Sequence, residues 1–422
     1  MKPERFTALV FVAVIAFFMV LAPTSLVINK VDKMIEKAKK VNIDWEKLYP
    51  FAENISHIST EESKSLYEYI KEGLKSYTSD ALLGYTKIVE ASKRYEDVAG
   101  WNMAPVFDYN AVVKLKDGYF TSYKMSLDVA PDAASVKEFA DFCAGKGIDF
   151  MYINFPTKIC VSEDRDIAGK LDFANQNADR FLALLRNSGV RCYDFRKTLH
   201  EDGMKHHESF FVTDHHWKPE TGLWAAGHIL RILRDDLGWN VNPEILSPEN
   251  FEYVVYPEWF LGSQGKKVTL VRAKPDDLTV IYPKFRTDFH VEMPSVKVNV
   301  SGDITGFYDL EQVKEKDFYK LNNYCVYTYG DQPLIRSCNN SMINSKRLLV
   351  IKDSFSECVV PFLALGFQYV DVIDLRIFTG SLRTFIDMTK PDAVIVEYHA
   401  TIPGITVKPT ATKTNKKFYD FR

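Results

Sequence analysis

An acid, an imidazole and a hydroxyl are the parts of an activated serine. This chain carries them in two short strings, Thr213-Asp214-His215-His216-Trp217 and Lys352-Asp353-Ser354-Phe355-Ser356. A serine hydroxyl is a weak nucleophile near neutral pH; a neutral imidazole must take its proton, and a carboxylate must fix that imidazole's tautomer and orientation. Asp214 stands two residues before His216, and in an extended segment that spacing puts both side chains on one face. On this reading Asp214 orients, His216 is the base and Ser354 the nucleophile. Ser356 is the competing hydroxyl, set inside the first turn of a following helix, and Ser354 is preferred for its place at the turn.

Five of the nine histidines (His200, His206, His207, His215, His216) fall between positions 200 and 216, and two further roles compete for them. The first is to hold a divalent metal together with Asp214, but the spacing matches no His-Glu-x-x-His signature, so neither metal nor cofactor is assigned. In the second they are surface or capping histidines, with Thr213 or Asp214 capping a helix over 219–235. Asp353-Ser354, directly after the apolar run Leu348-Leu349-Val350-Ile351, is likewise an ordinary helix N-cap signal. The same position supplies backbone N–H groups and a favourable dipole, the parts of an oxyanion hole.

Alternating helices and short apolar strands supply the frame. Helices are predicted over 134–146 and 171–187 with strands over 148–155 and 190–195. After the helix over 219–235 come strand 347–351, helix 357–365, strand 369–373, helix 382–388 and strand 393–398. Strands separated by helices of this length predict a mostly parallel sheet covered on both faces. Between about Trp239 and Asn344, runs such as Val268-Thr269-Leu270-Val271 and Val296-Lys297-Val298-Asn299-Val300 predict a β-rich insertion able to cap the site. Asp117-Gly118, between Ala111-Val112-Val113-Lys114-Leu115 and Tyr119-Phe120-Thr121, predicts a hairpin near the start of the domain. The polar tail over 408–422 is expected to fray.

Residues 6–28 carry no charge and follow Lys2 and Arg5; at roughly 1.5 Å per residue they are long enough to cross a bilayer. Residues 1–29 therefore read as a signal anchor, with a cleaved signal peptide as the alternative, and residues 30–100 as a helical spacer. The remaining 101–422 form the expected catalytic domain, placed outside a cell membrane that the chain crosses once, or secreted after cleavage. Lys plus Arg total 53 against 56 Asp plus Glu, and no long basic block interleaves with aromatics, which argues against nucleic acid as a partner. Six cysteines contain no Cys-x-x-Cys pair; Cys325 and Cys338 are spaced to bridge a hairpin, while six thiols packed as small hydrophobes are the favoured reading.

Thr213-Asp214-His215-His216-Trp217 resembles the signature of the DHHW protein family, itself similar to the Asp-x-His-Trp motif of alginate O-acetyltransferase-like proteins. Phe260-Leu261-Gly262-Ser263 and Asp371-Val372-Ile373-Asp374-Leu375-Arg376 also resemble recurrent family segments. The resemblance, from about Trp101 onward, implies an SGNH-hydrolase-like three-layer α/β/α fold. It matches Asp214, His216 and Ser354 to the orienting acid, base and nucleophile. Lys352 stands where the SGNH pattern has glycine. With no SGNH-type Gly and Asn blocks, the nucleophile's own N–H is the one oxyanion donor assigned.

The implied activity is acyl transfer, typically O-acetylation of an extracellular polysaccharide, with acetyl groups supplied by a membrane-bound O-acyltransferase partner. With water as acceptor the same triad makes a carbohydrate esterase, and a vestigial triad leaves a glycan-binding envelope protein. Substrate contacts are expected from His215, Trp217, Gly262 and Ser263, and from Lys158 at a strand end, facing an anionic sugar. Trp259, Tyr256 and Tyr329 add rings for stacking on sugar faces.

Overall fold

The computed structural model describes residues 111–342, 345–405 and 418–422. The expected membrane segment and helical spacer lie outside the described residues, among which no helix is long and apolar enough to cross a membrane.

A short hairpin, β1 (Val113–Lys114) and β2 (Phe120–Thr121), turns at Gly118, whose φ of 98° suits a residue without a Cβ. The chain then alternates as expected: α1 (Ala130–Gly145), β3 (Asp149–Phe155), α2 (Ala174–Asn187), β4 (Cys192–Asp194), α3 (Phe195–Glu201) and α4 (Pro219–Asp235). Two strands, β5 (Phe251–Phe260) and β6 (Asp276–Pro283), pair with each other around α5 (Ser263–Arg272). Then come β7 (Phe289–Met293), β8 (Val298–Gly302), β9 (Leu334–Asn339), β10 (Arg347–Lys352), α6 (Val360–Leu363), β11 (Tyr369–Ile373), α7 (Leu382–Thr389) and β12 (Ala393–His399).

Eight strands form the main sheet in the order β4-β3-β12-β10-β11-β9-β7-β8. The first five pair in parallel, and β9, β7 and β8 extend the sheet by antiparallel pairing. The sheet is thus mixed, and part of the expected β-rich insertion is not an insertion at all. Strand alternation divides two apolar layers: Met151 and Ile153 of β3 and Leu348 and Val350 of β10 face α4, while Phe150, Tyr152, Leu349 and Ile351 face α1, α2 and α7.

Three further expectations are corrected. Val268-Thr269-Leu270-Val271 lies in α5 rather than in a strand, with the helix broken at Thr269 (φ 64°). The helix expected over 357–365 is a 3₁₀ turn (Ser354–Cys358), the single turn α6 and a second 3₁₀ turn (Ala364–Gly366). Pro361 explains the break, since it has no N–H to continue a helix begun at Glu357. Of the tail expected to fray, residues 408–417 lie outside the described residues, while 418–422 are packed: Phe421 stacks on Phe139 with ring centroids 4.4 Å apart, and Tyr419 hydroxyl meets Tyr152 hydroxyl at 3.1 Å.

All six cysteines are free, so Cys325 and Cys338 are not bridged.

Candidate active site

At the carboxyl end of β10 the chain leaves the sheet. Asp353, rather than Ser354, is the N-cap of the turn: its Oδ1 accepts the Phe355 N–H at 2.9 Å. Its Oδ2 accepts the backbone N–H of His399 at 2.8 Å and the His399 Nδ1–H at 2.7 Å, tying the cap to the end of β12. Relieved of capping, Ser354 opens the turn with its hydroxyl half-exposed. Ser356 is fully buried and donates to Glu397 Oε2 at 2.7 Å, which removes it as a nucleophile. Lys352 is buried as well, its ammonium paired with Asp331 at 2.9 Å, and Arg376 joins the same carboxylate at 2.6 Å. The backbone at Lys352 lies outside the left-handed region, so the local conformation does not require the glycine of the SGNH pattern.

The Asp214–His216 string lies in a bend rather than an extended segment. The Phe210–Trp217 bridge closes its ends, and the Asp214 Oδ1 accepts the His216 backbone N–H at 3.0 Å, an Asx turn that brings the two side chains together. Asp276, which opens β6, holds the bend by accepting from Val212 N at 2.7 Å and from Thr213 N at 2.8 Å and Oγ1 at 2.5 Å. The helix that follows, α4, is capped at Lys218, so neither Thr213 nor Asp214 serves as its cap.

Folding brings the three groups into line. His216 Nδ1 donates to Asp214 Oδ1 at 2.5 Å, and His216 Nε2 accepts from Ser354 Oγ at 2.6 Å. Tyr324 stacks on the imidazole at 4.2 Å, 13° from parallel, and fixes the plane of the ring. Burial alone would raise the Asp214 carboxyl. His215 and His216 beside it, the His216 hydrogen bond and the Ser263 N–H outweigh burial and hold the group well below its usual range. A buried, ionised acid behind a neutral imidazole that touches a hydroxyl is the arrangement that converts a serine into a nucleophile.

Backbone supply to an oxyanion is narrow here. Asp353 takes the Phe355 N–H, while the Ser354 N–H meets no acceptor among the described residues.

The expected substrate contacts fare unevenly. Trp217 is fully buried and donates its indole N–H to Phe355 O at 2.8 Å; it ties the two strings together and offers no face to a sugar. Lys158 is buried too, with its ammonium on Phe120 O at 2.7 Å and on Asp214 O, so it clamps the bend from behind and meets no anionic sugar. Burial pulls Lys158 down to about 7.

Gly262 and Ser263 act through their backbones: Gly262 N donates to Thr213 Oγ1 at 2.8 Å and Ser263 N to Asp214 Oδ2 at 2.5 Å. A Cβ on Gly262 would lie 2.2 Å from Asp214 Cβ, so only glycine lets the two backbones approach. His215 keeps an exposed edge and meets the exposed Ser263 Oγ at 3.2 Å, so these two side chains are the expected contacts able to face a substrate.

Sequence reasoning missed the groups behind the nucleophile. The Asp353–His399 pair has the same acid-to-imidazole logic, but His399 is remote in the chain, and only its position at the end of a parallel strand hints at it. Glu397, on β12, is fully buried with Oε1 unpartnered among the described residues, and burial pushes it up to about 8. A carboxyl raised on folding stabilises the protein fully below its unfolded value, and that contribution is lost as pH rises toward 8. The Glu397→Gln variant is therefore expected to gain thermal stability over the parent between pH 5 and 8, by roughly 2–5 °C, with the gap level above that. Melting curves at several pH values check this; a gap that narrows with rising pH refutes it.

Residues 119–246 match the family model of the SGNH hydrolase-like domain of the acetyltransferase AlgX, a stretch that includes Asp214 and His216 and ends before Ser354. No curated protein matches the chain by sequence. Among solved structures, Bacillus cereus PatB1 is similar at 17% identity and a TM-score of 0.59, covering 74% of this chain and 99% of PatB1. A DHHW family protein from Eubacterium siraeum is similar at 17% identity and a TM-score of 0.54, covering 70% of this chain and 91% of that one. These likenesses are of fold. Over residues 119–246 the chain is similar to the SGNH hydrolase-like domain of the acetyltransferase AlgX, and its α/β fold is similar to those of PatB1 and the DHHW family protein.

Proposed function

We propose that the chain is an O-acyltransferase that acetylates hydroxyl groups of a cell-surface or secreted polysaccharide through an acetyl-serine. The observation that carries this reading is the continuous line from Asp214 through His216 to Ser354, closed at 2.5 and 2.6 Å. Ser354 Oγ attacks the carbonyl of an acetyl donor while His216 Nε2 takes its proton. The same proton then goes to the departing group as the acetyl–Ser354 ester forms. In the second half His216 takes the proton of a sugar hydroxyl, whose oxygen attacks the ester, and Ser354 leaves with the proton restored.

The likeness to the SGNH hydrolase-like domain of an acetyltransferase supports transfer over hydrolysis. Half-buried Tyr256 and Trp259, on the strand that leads into Gly262 and Ser263, supply rings of the kind that pack on sugar faces. A membrane-bound O-acyltransferase is the proposed source of acetyl groups, and residues 6–28 the proposed anchor that keeps the domain beside it, outside the membrane.

Esterase action is the second reading, because the same triad serves water, and the two differ in how well the site excludes it. Incubating the protein with 4-nitrophenyl acetate and acetyl-free oligosaccharides separates them. The transferase reading expects acetylated oligosaccharide as a major product; acetate alone, at every acceptor concentration, makes the protein an esterase.

A further inference from the structure

Three donor atoms gather away from the triad, on residues lining a pocket of about 580 Å³ beside α3. Cys160 follows β3 by a short loop, His200 sits in the last turn of α3, and His206 follows the turn at Gly203 (φ 70°). Cys160 Sγ lies 3.6 Å from His200 Nε2, and one donor atom from each of Cys160, His200 and His206 falls within 4.8 Å of the others.

The His206 ring is the informative member. It is 3% exposed, and its Nε2 stands 2.8 Å from Thr157 O. A carbonyl can only accept, so Nε2 carries the proton and Nδ1 presents a bare lone pair. That Nδ1 is buried and meets no hydrogen-bond partner among the described residues. Leaving a buried acceptor unmatched is costly, and native proteins rarely do so without a ligand to fill the gap. The arrangement is also the one that metal-binding histidines adopt: the far ring nitrogen donates to a backbone carbonyl, which sets tautomer and ring plane.

We propose that Cys160, His200 and His206 bind a divalent ion of the zinc class. One thiolate and two imidazoles are a borderline-soft set suited to Zn²⁺ and unsuited to Mg²⁺ or Ca²⁺. Bond lengths of about 2.3 Å to sulfur and 2.1 Å to nitrogen at a tetrahedral angle put the two donors about 3.6 Å apart. The Cys160–His200 pair is already at that separation. His200 is exposed, and its ring stacks on that of His206 with centroids 5.4 Å apart. Ser162 Oγ, 3.1 Å from Cys160 Sγ, is placed to donate to the thiolate. Glu201 lines the same pocket, so it or a water would complete the coordination. Binding releases the thiol proton and leaves both imidazoles neutral.

The ion would tie the loop after β3 to the end of α3. Thr157, whose carbonyl orients His206, precedes Lys158, whose ammonium holds the Asp214 carbonyl. A second cluster, Asp214 with His215 and His216, belongs to the proton relay already described. The sequence shows no metal signature because only folding joins Cys160 to the two histidines.

Cobalt(II) titration of the metal-stripped full-length protein tests the proposal. One equivalent is expected to produce a thiolate-to-cobalt absorption band in the near ultraviolet, discharged by an equivalent of Zn²⁺. Cys160→Ser should abolish the band. His200→Ala, at an exposed ring, should leave the fold intact and weaken cobalt binding at least about tenfold. Cobalt bound without a thiolate band, a band that survives in Cys160→Ser, or unaltered affinity in His200→Ala overturns the assignment. None of these readouts depends on acyl transfer.

Discussion

Replacing Ser354 by alanine is expected to lower acyl-group turnover about 10⁴-fold or more, to eliminate the acetyl-protein intermediate, and to leave the melting temperature nearly unchanged. The size follows from the role: without the hydroxyl no acyl-enzyme forms, and such a loss corresponds to about 5.5 kcal/mol of transition-state stabilisation. The small stability effect follows from position. Ser354 is half-exposed, and among the described residues its hydroxyl has one partner, His216 Nε2, at 2.6 Å. Ser356 cannot substitute, being fully buried with its hydroxyl committed to Glu397. A sulfonyl fluoride should label the parent once, on the peptide that carries Ser354, and should not label the variant. Intact-mass spectrometry reads both. Labelling or turnover within tenfold of the parent in Ser354→Ala would remove this serine from the chemistry and, with it, the proposed mechanism.

What the sequence made legible divides along the line between local and tertiary causes. Helix α4 spans the residues anticipated for it, Pro219–Asp235, because its start is marked locally by a proline in the first turn and its face by apolar periodicity. Strands β10, β11 and β12 were legible for the same reason: short apolar runs bounded by polar residues read as strands buried on both faces. Apolar character alone does not distinguish strand from helix, and Val268-Thr269-Leu270-Val271 shows it. In helix α5 it straddles the kink at Thr269, and the Leu270 N–H freed there donates to the Tyr319 hydroxyl at 3.3 Å, a partner remote in the chain. The antiparallel half of the sheet was hidden for a similar reason. Which edge β9, β7 and β8 join is decided by packing, and their alternating patterns suit a separate sheet equally well.

At the site, residue type was legible and burial was not. Asp214, His216 and Ser354 could be singled out because their chemistry restricts them to a few roles. Trp217 and Lys158 could not be placed, because an indole or an ammonium near a motif serves a ligand or a backbone carbonyl with equal ease. The choice between Ser354 and Ser356 turned on Glu397, a partner on another strand.

Converting Asp214 to asparagine tests the tautomer that the line of hydrogen bonds requires, and it is expected to cost about 10³- to 10⁴-fold in turnover. Both carboxylate oxygens accept: Oδ1 takes the His216 backbone N–H at 3.0 Å and the Nδ1–H at 2.5 Å, and Oδ2 takes the Ser263 N–H at 2.5 Å. An asparagine must put its NH₂ at one of these places. At the Oδ2 position it opposes the Ser263 N–H, donor against donor. At the Oδ1 position it opposes the His216 N–H and can be satisfied only by donating to Nδ1, which moves the ring proton to Nε2. An imidazole protonated at Nε2 cannot accept the proton of Ser354. Either orientation also removes the negative charge that stabilises the imidazolium formed as the serine attacks. Nitrogen-15 NMR of His216 distinguishes the cases, with the ring proton on Nδ1 in the parent and on Nε2 in the variant if the second orientation prevails. Turnover in Asp214→Asn within tenfold of the parent would mean that the carboxylate neither orients nor charges the base, and that its contact with His216 is structural.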